Sequence, residues 1–292
     1  MPVKPKLKPA WSLASVALTD AYTDFVLSRQ AARCSPATLE FYRYTAGKFV
    51  AWLDGQVNSP SDVQARHVRA YLAELSGASW TVHDHARAIR TLLRFWNAEG
   101  YCAPVLFDMP KLEKKRMPVL TAEQVRQILN VCNVREKAII MLFVDTGLRR
   151  AEVCALNWED VDISSGLVKI IRGKGGKSRS VVIGATTRRA LLAYRRTIET
   201  KGPLIQTRTG AHFTGAGMLQ LFRRISKKSG IAFSPHVLRR TFAILSLRSG
   251  LSVLHLQALL GHSSLEMVKH YVELLDDDLT EAHRKASPVD NL

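Results

Sequence analysis

Two β-branched runs, Gly166–Ile171 and Arg179–Ile183, flank the segment Arg-Gly-Lys-Gly-Gly-Lys-Ser, and there the spacing of apolar residues drops from helical to alternating. Runs of this kind on either side of a glycine-rich turn predict a β-hairpin. Elsewhere the apolar residues recur at helical spacing, so the chain is constrained to a mainly α fold with one small β-sheet. The sheet falls in the second of two regions. Residues 108–118, Asp-Met-Pro-Lys-Leu-Glu-Lys-Lys-Arg-Met-Pro, form a charged segment with a proline near each end and read as a linker between domains.

Before the linker, four helices and no strand are expected. Val16–Leu27 is apolar at helical spacing. Ser35-Pro36 opens a second helix with a capping serine and a proline at the first helical position. Ser61 is placed to cap a third that runs to Leu75. A fourth spans about Trp80 to Asn97 and ends at Gly100, a C-cap glycine. After the linker, Thr121 and Gln124 make a capping box. Glu136–Asp145 is an apolar helix that stops at Thr146-Gly147, and Arg150–Leu156 is a short one. Beyond the hairpin, helices are expected at Arg188–Thr200, Met218–Ser229, Pro235–Ser249, Val253–Leu260 and Leu265–Leu275. The chain thus divides into a basic arm (1–14), an all-α domain (15–107), the linker (108–118), a mixed and mostly helical domain (119–275) and a polar tail (276–292).

The 292 residues include 42 Lys and Arg against 25 Asp and Glu, a formal charge of +17. Base exceeds acid on both sides of the linker. A folded chain with base spread over both halves usually faces a polyanion, most often nucleic acid; the plainer alternative is a solvated basic surface. Lys111, Lys114, Lys115 and Arg116 of the linker are candidates to lie along a phosphate backbone. Cys34, Cys102, Cys132 and Cys154 have no metal-ligand spacing and read as free thiols of a reducing compartment. No apolar run reaches the length of a membrane span, and the N-terminus lacks the apolar stretch of a signal peptide. A cytoplasmic protein without membrane contact is expected.

Six residues are candidates for chemistry, and each also has a plainer reading. Arg149 follows Thr146-Gly147-Leu148 at a helix junction, where an arginine is usually a surface residue; Glu152, three residues on, is placed to hold its guanidinium rigid. Lys174 and Lys177 lie in the hairpin turn, where glycines allow close approach to a phosphate, and where a simple backbone contact is equally natural. His236 and Arg239 share one helical face at i and i+3, in the first turn of a helix whose free N–H groups favour an anion. His262 follows Leu-Leu-Gly261, as a loop residue after a C-cap would. Tyr271 in Val-Lys-His-Tyr-Val-Glu reads alone as a core tyrosine with its hydroxyl at the rim. Taken together, two arginines, a lysine and two histidines suit a single phosphate with tyrosine as the nucleophile. Guanidiniums stabilise the charge of a pentavalent transition state. A base is needed for a phenol whose pKa is near 10, and an acid for the departing oxygen. No carboxylate cluster suggests a metal, and no cofactor is expected.

The ordered set Thr146-Gly-Leu-Arg-Arg-Ala-Glu152, Gly173-Lys-Gly-Gly-Lys177, His236-Val-Leu-Arg-Arg-Thr-Phe-Ala243, Leu259-Leu-Gly-His-Ser-Ser264 and Tyr271 resembles the tyrosine recombinase (phage integrase) family, with a size similar to its Xer-type and simple integrase members. The resemblance covers roughly residues 119–275 and includes Trp158-Glu-Asp-Val-Asp162. The first domain resembles the family's SAM-like core-binding domain only in size and helix count.

The resemblance implies a site-specific recombinase acting on double-stranded DNA without metal or nucleotide. Arg149 and Arg239 would bind the scissile phosphate, and Tyr271 would form a 3′-phosphotyrosyl link. Lys174, or failing it Lys177, would protonate the 5′ oxygen. His236 would act as base, and His262 would hydrogen-bond the phosphate. Arg240 stands where many members have His and would add a phosphate or acidic contact. The resemblance also implies two domains clamping the duplex, a chain monomeric when free and tetrameric on two recombining sites, a tail that docks on a neighbouring protomer, a place on the nucleoid, and in some systems a related partner recombinase. Only about fifteen residues precede the first helix, too few for the arm-binding domain of larger integrases, so core sites alone are expected. Two rivals remain beside this reading: a catalytically silent DNA-binding regulator of the same fold, and a site-independent type I topoisomerase. An RNA-binding module lacks any RNP-like or KH-like signature here.

Overall fold

Ser35 accepts a hydrogen bond from the Thr38 backbone N–H at 3.2 Å with Pro36 at the first helical position, so the second helix begins where its residue types place it. The computed structural model describes residues 16–112, 118–170, 178–198, 202–261 and Ser287. The chain divides into two compact units, Met1–Lys115 and Arg116–Leu292. The first unit contains α1 (Leu18–Ala31), α2 (Pro36–Leu53), α3 (Ala65–Glu74) and α4 (Ser79–Glu99). Gly100, at φ 83°, ends α4 in the left-handed conformation. Ser61 does not cap the third helix. It lies inside a 3-10 turn, Pro60–Asp62, in which the Asp62 carboxylate accepts the N–H groups of Asn58 and Ser59. That carboxylate is a stronger acceptor than a hydroxyl and closes the turn early, so α3 starts only at Ala65, where His67 Nδ1 accepts the Gln64 N–H.

Phe25, Phe49, Leu53, Ile89, Leu92 and Trp96 fill the core of this unit. Phe25 meets Tyr42 edge-on at 5.1 Å and Phe49 meets Tyr71 at 5.2 Å, the arrangement that the ring quadrupoles favour. Trp96 donates its indole N–H to the Ala21 carbonyl at 3.0 Å, which satisfies its polar atom and ties α4 to α1.

The second unit contains α5 (Ala122–Asn130), α6 (Val134–Thr146), α7 (Arg150–Ala155), β1 (Val161–Asp162), β2 (Leu167–Ile170), β3 (Arg179–Val182), α8 (Ala185–Arg195), α9 (Gly215–Ser229), α10 (Pro235–Arg248) and α11 (Val253–Leu260). The capping box forms at the start of α5, with Thr121 and Gln124 each accepting the other's backbone N–H. The three strands make one antiparallel sheet in the order β1-β2-β3, with Val168 opposite both Val161 and Val181. The expected hairpin is β2–β3; β1 is an addition, too short to show any periodicity. Helices α8 and α9 begin three residues earlier than the apolar pattern suggests, because Thr214 caps α9 and the backbone turns at Gly184 before α8. The helix expected at Leu265–Leu275 lies outside the described residues. No described helix is long and apolar enough to cross a membrane.

Helix α6 is the axis of this unit. Ala138, Ile139, Ile140, Leu142 and Phe143, the apolar stretch after its charged first turn, are all fully buried. Its C-terminus stops at Gly147, φ 60°, where an added Cβ would stand 2.3 Å from Phe242 and 2.9 Å from Leu260. One glycine therefore lets α10 and α11 close over the end of α6. Thr241, fully buried on α10, accepts the Leu120 N–H at 3.0 Å and donates to the Val237 carbonyl at 2.9 Å, fastening the start of the unit to its centre.

Gly147→Ala combines left-handed strain with overpacking and is expected to destabilise the second unit by about 2–5 kcal/mol in urea unfolding; a cost under about 1 kcal/mol would contradict this packing. Thr241→Val keeps the side-chain volume but strands the Leu120 N–H, and should cost about 1–3 kcal/mol in the same measurement.

Candidate active site

The last carbonyls of an α-helix have no partner within it and carry the negative end of its dipole. Two such ends, those of α6 and α11, meet at Arg239. Its guanidinium donates from Nη1 to the Gly147 carbonyl and from Nη2 to the Leu260 carbonyl, the latter at 2.8 Å, while the residue is 5 % exposed. The neighbouring Leu259 carbonyl accepts Nε–H of Arg179 at 3.0 Å. Gly261, at φ 62°, follows, and a Cβ there would lie 3.1 Å from Arg179 Cδ. The end of α11 is thus shaped around two arginine side chains.

Arg149 is the residue just before α7. Its backbone N–H donates to Glu152 Oε2 at 2.8 Å and its Nη1–H to Oε1 at 3.1 Å. Glu152 does hold the Arg149 guanidinium, but its two-pronged partner is Arg179, whose Nη1 and Nη2 reach Oε1 and Oε2, both at 2.8 Å. At the helix start the capping carboxylate turns Oε2 to the Arg149 amide, and β3 brings Arg179 within reach of both oxygens. Glu152 is almost wholly buried, and its two oxygens receive four N–H donors, which uses the lone pairs of a carboxylate and leaves none for a cation. Burial alone would raise its pKa, but the Arg179 hydrogen bonds, the Arg149 amide and the two guanidinium charges outweigh this and hold it below the usual carboxylate range. In sequence Arg179 is simply the first residue of a strand. Nothing in an alternating pattern signals a contact to a residue 27 positions earlier.

His236 and Arg239 stand one turn apart on α10, which Ser234 and Pro235 open. Arg239 points into the carbonyl cage, whereas His236 is exposed at the helix start. Desolvation by the surrounding protein, followed by the charges of Arg240, Arg239, Arg150 and Arg149, lowers the pKa of its imidazole from the ordinary value. Four guanidinium charges thus act on one histidine. Arg150 packs against the first turn of α9, where a Cβ on Gly215 would meet its guanidinium at 3.3 Å. The structure therefore brings Arg149, Glu152, His236, Arg239 and Arg240 together, with Arg179 and Arg150 added. Lys111 is exposed in the first unit. Lys114, Lys115, Arg116, Lys174, Lys177, His262 and Tyr271 lie outside the described residues.

The family model described as the phage integrase family matches residues 118–277, which contain this whole cluster. The chain is similar to tyrosine recombinase XerA of Saccharolobus solfataricus, at 30% identity over 80% of this chain and 76% of that one. It is also similar to tyrosine recombinase XerC of Stutzerimonas stutzeri, at 29% identity over 92% of this chain and 95% of that one. Among solved structures, a lambda integrase (75–356) dimer bound to a COC′ core site shares the fold, with a TM-score of 0.75 at 20% identity over 88% of this chain and 95% of that one. With more than half of its length matched and its arginine cluster inside the match, the chain belongs to the phage integrase family of tyrosine recombinases.

Proposed function

We propose that this chain cuts and rejoins duplex DNA at a specific site through a 3′-phosphotyrosyl intermediate. The observation that carries the reading is the arginine cluster: Arg239, held by two helix-end carbonyls, and Arg149, held by the Glu152 carboxylate, beside an exposed histidine at the N-terminal end of α10. Rigid guanidiniums are what a phosphoryl-transfer site needs, because they meet the transition-state charge without reorganising. The similar lambda integrase, bound to a core site, supports DNA as the partner.

The residue roles follow from this reading. Arg149 and Arg239 bind the non-bridging oxygens of the scissile phosphate. The Tyr271 hydroxyl attacks phosphorus while His236 takes its proton. The bond from phosphorus to the 5′ oxygen breaks, and Lys174, or failing it Lys177, protonates the leaving 5′-hydroxyl. His262 hydrogen-bonds the phosphate. Religation reverses each step, with the 5′-hydroxyl of the exchanged strand as nucleophile, so the phosphodiester energy is conserved and no nucleotide is consumed. Arg240 and the linker cations Lys111, Lys114, Lys115 and Arg116 contribute backbone grip. Two sites with two protomers each make a tetramer on DNA from chains that are monomeric when free, working on the nucleoid in the cytoplasm.

Covalent capture tests the reaction. DNA crosslinked to the protein in cells is sequenced, and a nicked suicide duplex is built on the recovered site. Wild type should trap an adduct, whereas Tyr271→Phe should bind the duplex within about threefold of wild type and trap none; an adduct with the Phe variant would falsify the nucleophile assignment. Relaxation of supercoiled DNA regardless of sequence would point to a topoisomerase instead. The pH profile tests the base. A base must be neutral to accept a proton, and a lowered imidazole pKa keeps His236 neutral to more acidic pH. The acid limb of the second-order rate of cleavage, measured at subsaturating DNA so that it reports the free protein, should therefore lie below 6.5, the ordinary histidine value. Arg240→Gln removes a positive charge, raises the His236 pKa and should move that limb upward. A limb that ignores the substitution would remove His236 from the role.

A further inference from the structure

Glu152 holds two arginines, and the chemistry above uses only one of them. We infer that Arg179 is a positioning residue that engages the Glu152 carboxylate and so leaves the positive charge of Arg149 available to the scissile phosphate. The inference rests on the recombinase reading.

The geometry states the division of labour. Arg179 meets both carboxylate oxygens at 2.8 Å, whereas Arg149 reaches one of them through its side chain, at 3.1 Å. Two guanidiniums and one carboxylate sum to a single positive charge. The Arg179 side chain is 13% exposed and that of Arg149 is 27% exposed, so the surplus charge faces outward at Arg149. Without Arg179, a carboxylate three residues along the helix would be free to make its own two-pronged pair with Arg149. That pair is neutral, and a phosphate would have to compete with a buried carboxylate for the guanidinium. Arg179 is also anchored by a third donor, Nε–H to the Leu259 carbonyl, against Gly261. It therefore joins β3, which follows the Lys174 turn in sequence, to the end of α11, which precedes His262, and to α7, which follows Arg149. A lysine cannot fill this place, because three donors are needed in one plane, two toward a carboxylate and one toward a carbonyl.

A purely structural role for Arg179 would make the same contacts, so the test must separate the two. Its readout is the single-turnover rate of covalent adduct formation by the full-length chain on the nicked suicide duplex, with the duplex Kd measured alongside. Arg179→Met should slow cleavage roughly 10- to 100-fold while Kd stays within about threefold, because the lost interaction acts on the transition state. Adding Glu152→Gln to Arg179→Met removes the competing carboxylate and should restore the rate at least about fivefold, a coupling opposite in sign to that of two lost packing contacts. Wild-type cleavage by Arg179→Met, or a double variant no faster than the single one, overturns the inference. If Arg179→Met does not fold, Arg179→Lys serves in its place: it keeps a cation at the carboxylate without the fork, and adding Glu152→Gln must again raise the rate. A wild-type chain that forms no adduct defeats the recombinase reading itself, and the inference falls with it. A wild type that forms the adduct without the coupling defeats the inference alone.

Discussion

A buried arginine must find an acceptor for its N–H groups, and in this protein the ends of two helices provide them. Arg239 lies between the C-terminal carbonyls of α6 and α11. The surroundings of Arg239 follow from that requirement. The two helix ends must approach one another, so Gly147 has no side chain and takes a positive φ beneath Phe242 and Leu260. The carbonyl of Leu259, one residue before Leu260, is taken by Arg179 of β3. The negative ends of helix dipoles stabilise cations within the first or last turn, so the same carbonyls that satisfy the hydrogen bonds also offset the cost of concentrating positive charge.

That concentration is the second constraint. Arg149, Arg150, Arg239 and Arg240 all act on His236. Like charges this close repel, and an apolar interior could not hold them. The unit manages it with one buried carboxylate, Glu152, three carbonyls and partial exposure to water. The outcome is a cluster of guanidiniums in which Arg149, Arg179 and Arg239 have their donors fixed by named acceptors. The charge of +17 that marks the whole chain thus has two components. Most of it is spread over both units and suits non-specific grip on a polyanion, while a handful of arginines are fixed by named partners.

Local chemistry was readable residue by residue. The caps at Ser35, Thr121 and Gly100 form as their types predict, since a cap needs only the three or four residues of the adjoining turn. The hairpin was readable because β-branched alternation differs plainly from helical spacing. The third helix was misplaced because Asp62 competed with Ser61 for the same turn. Strand β1 was invisible because two residues carry no period, and it exists only by pairing with β2. Among site residues, Arg149, His236 and Arg239 stood out through the order and spacing of their segments. Arg179 did not, since its importance comes from a carboxylate 27 residues away and a carbonyl 80 residues away.

By itself the sequence determined the fold class and the helix ends at Ser35, Thr121 and Gly100, where a single local cap is uncontested. Tertiary structure alone decided which arginine Glu152 would pair with most closely, which helix ends would meet at Arg239 and that Arg149 and Arg150 would act on His236. The physical reason is range. A cap or a turn is a contest among groups a few residues apart, whose outcome their types settle. The partner of a buried charge is whatever acceptor the packing of distant elements brings within 3 Å or so, and no local pattern records it.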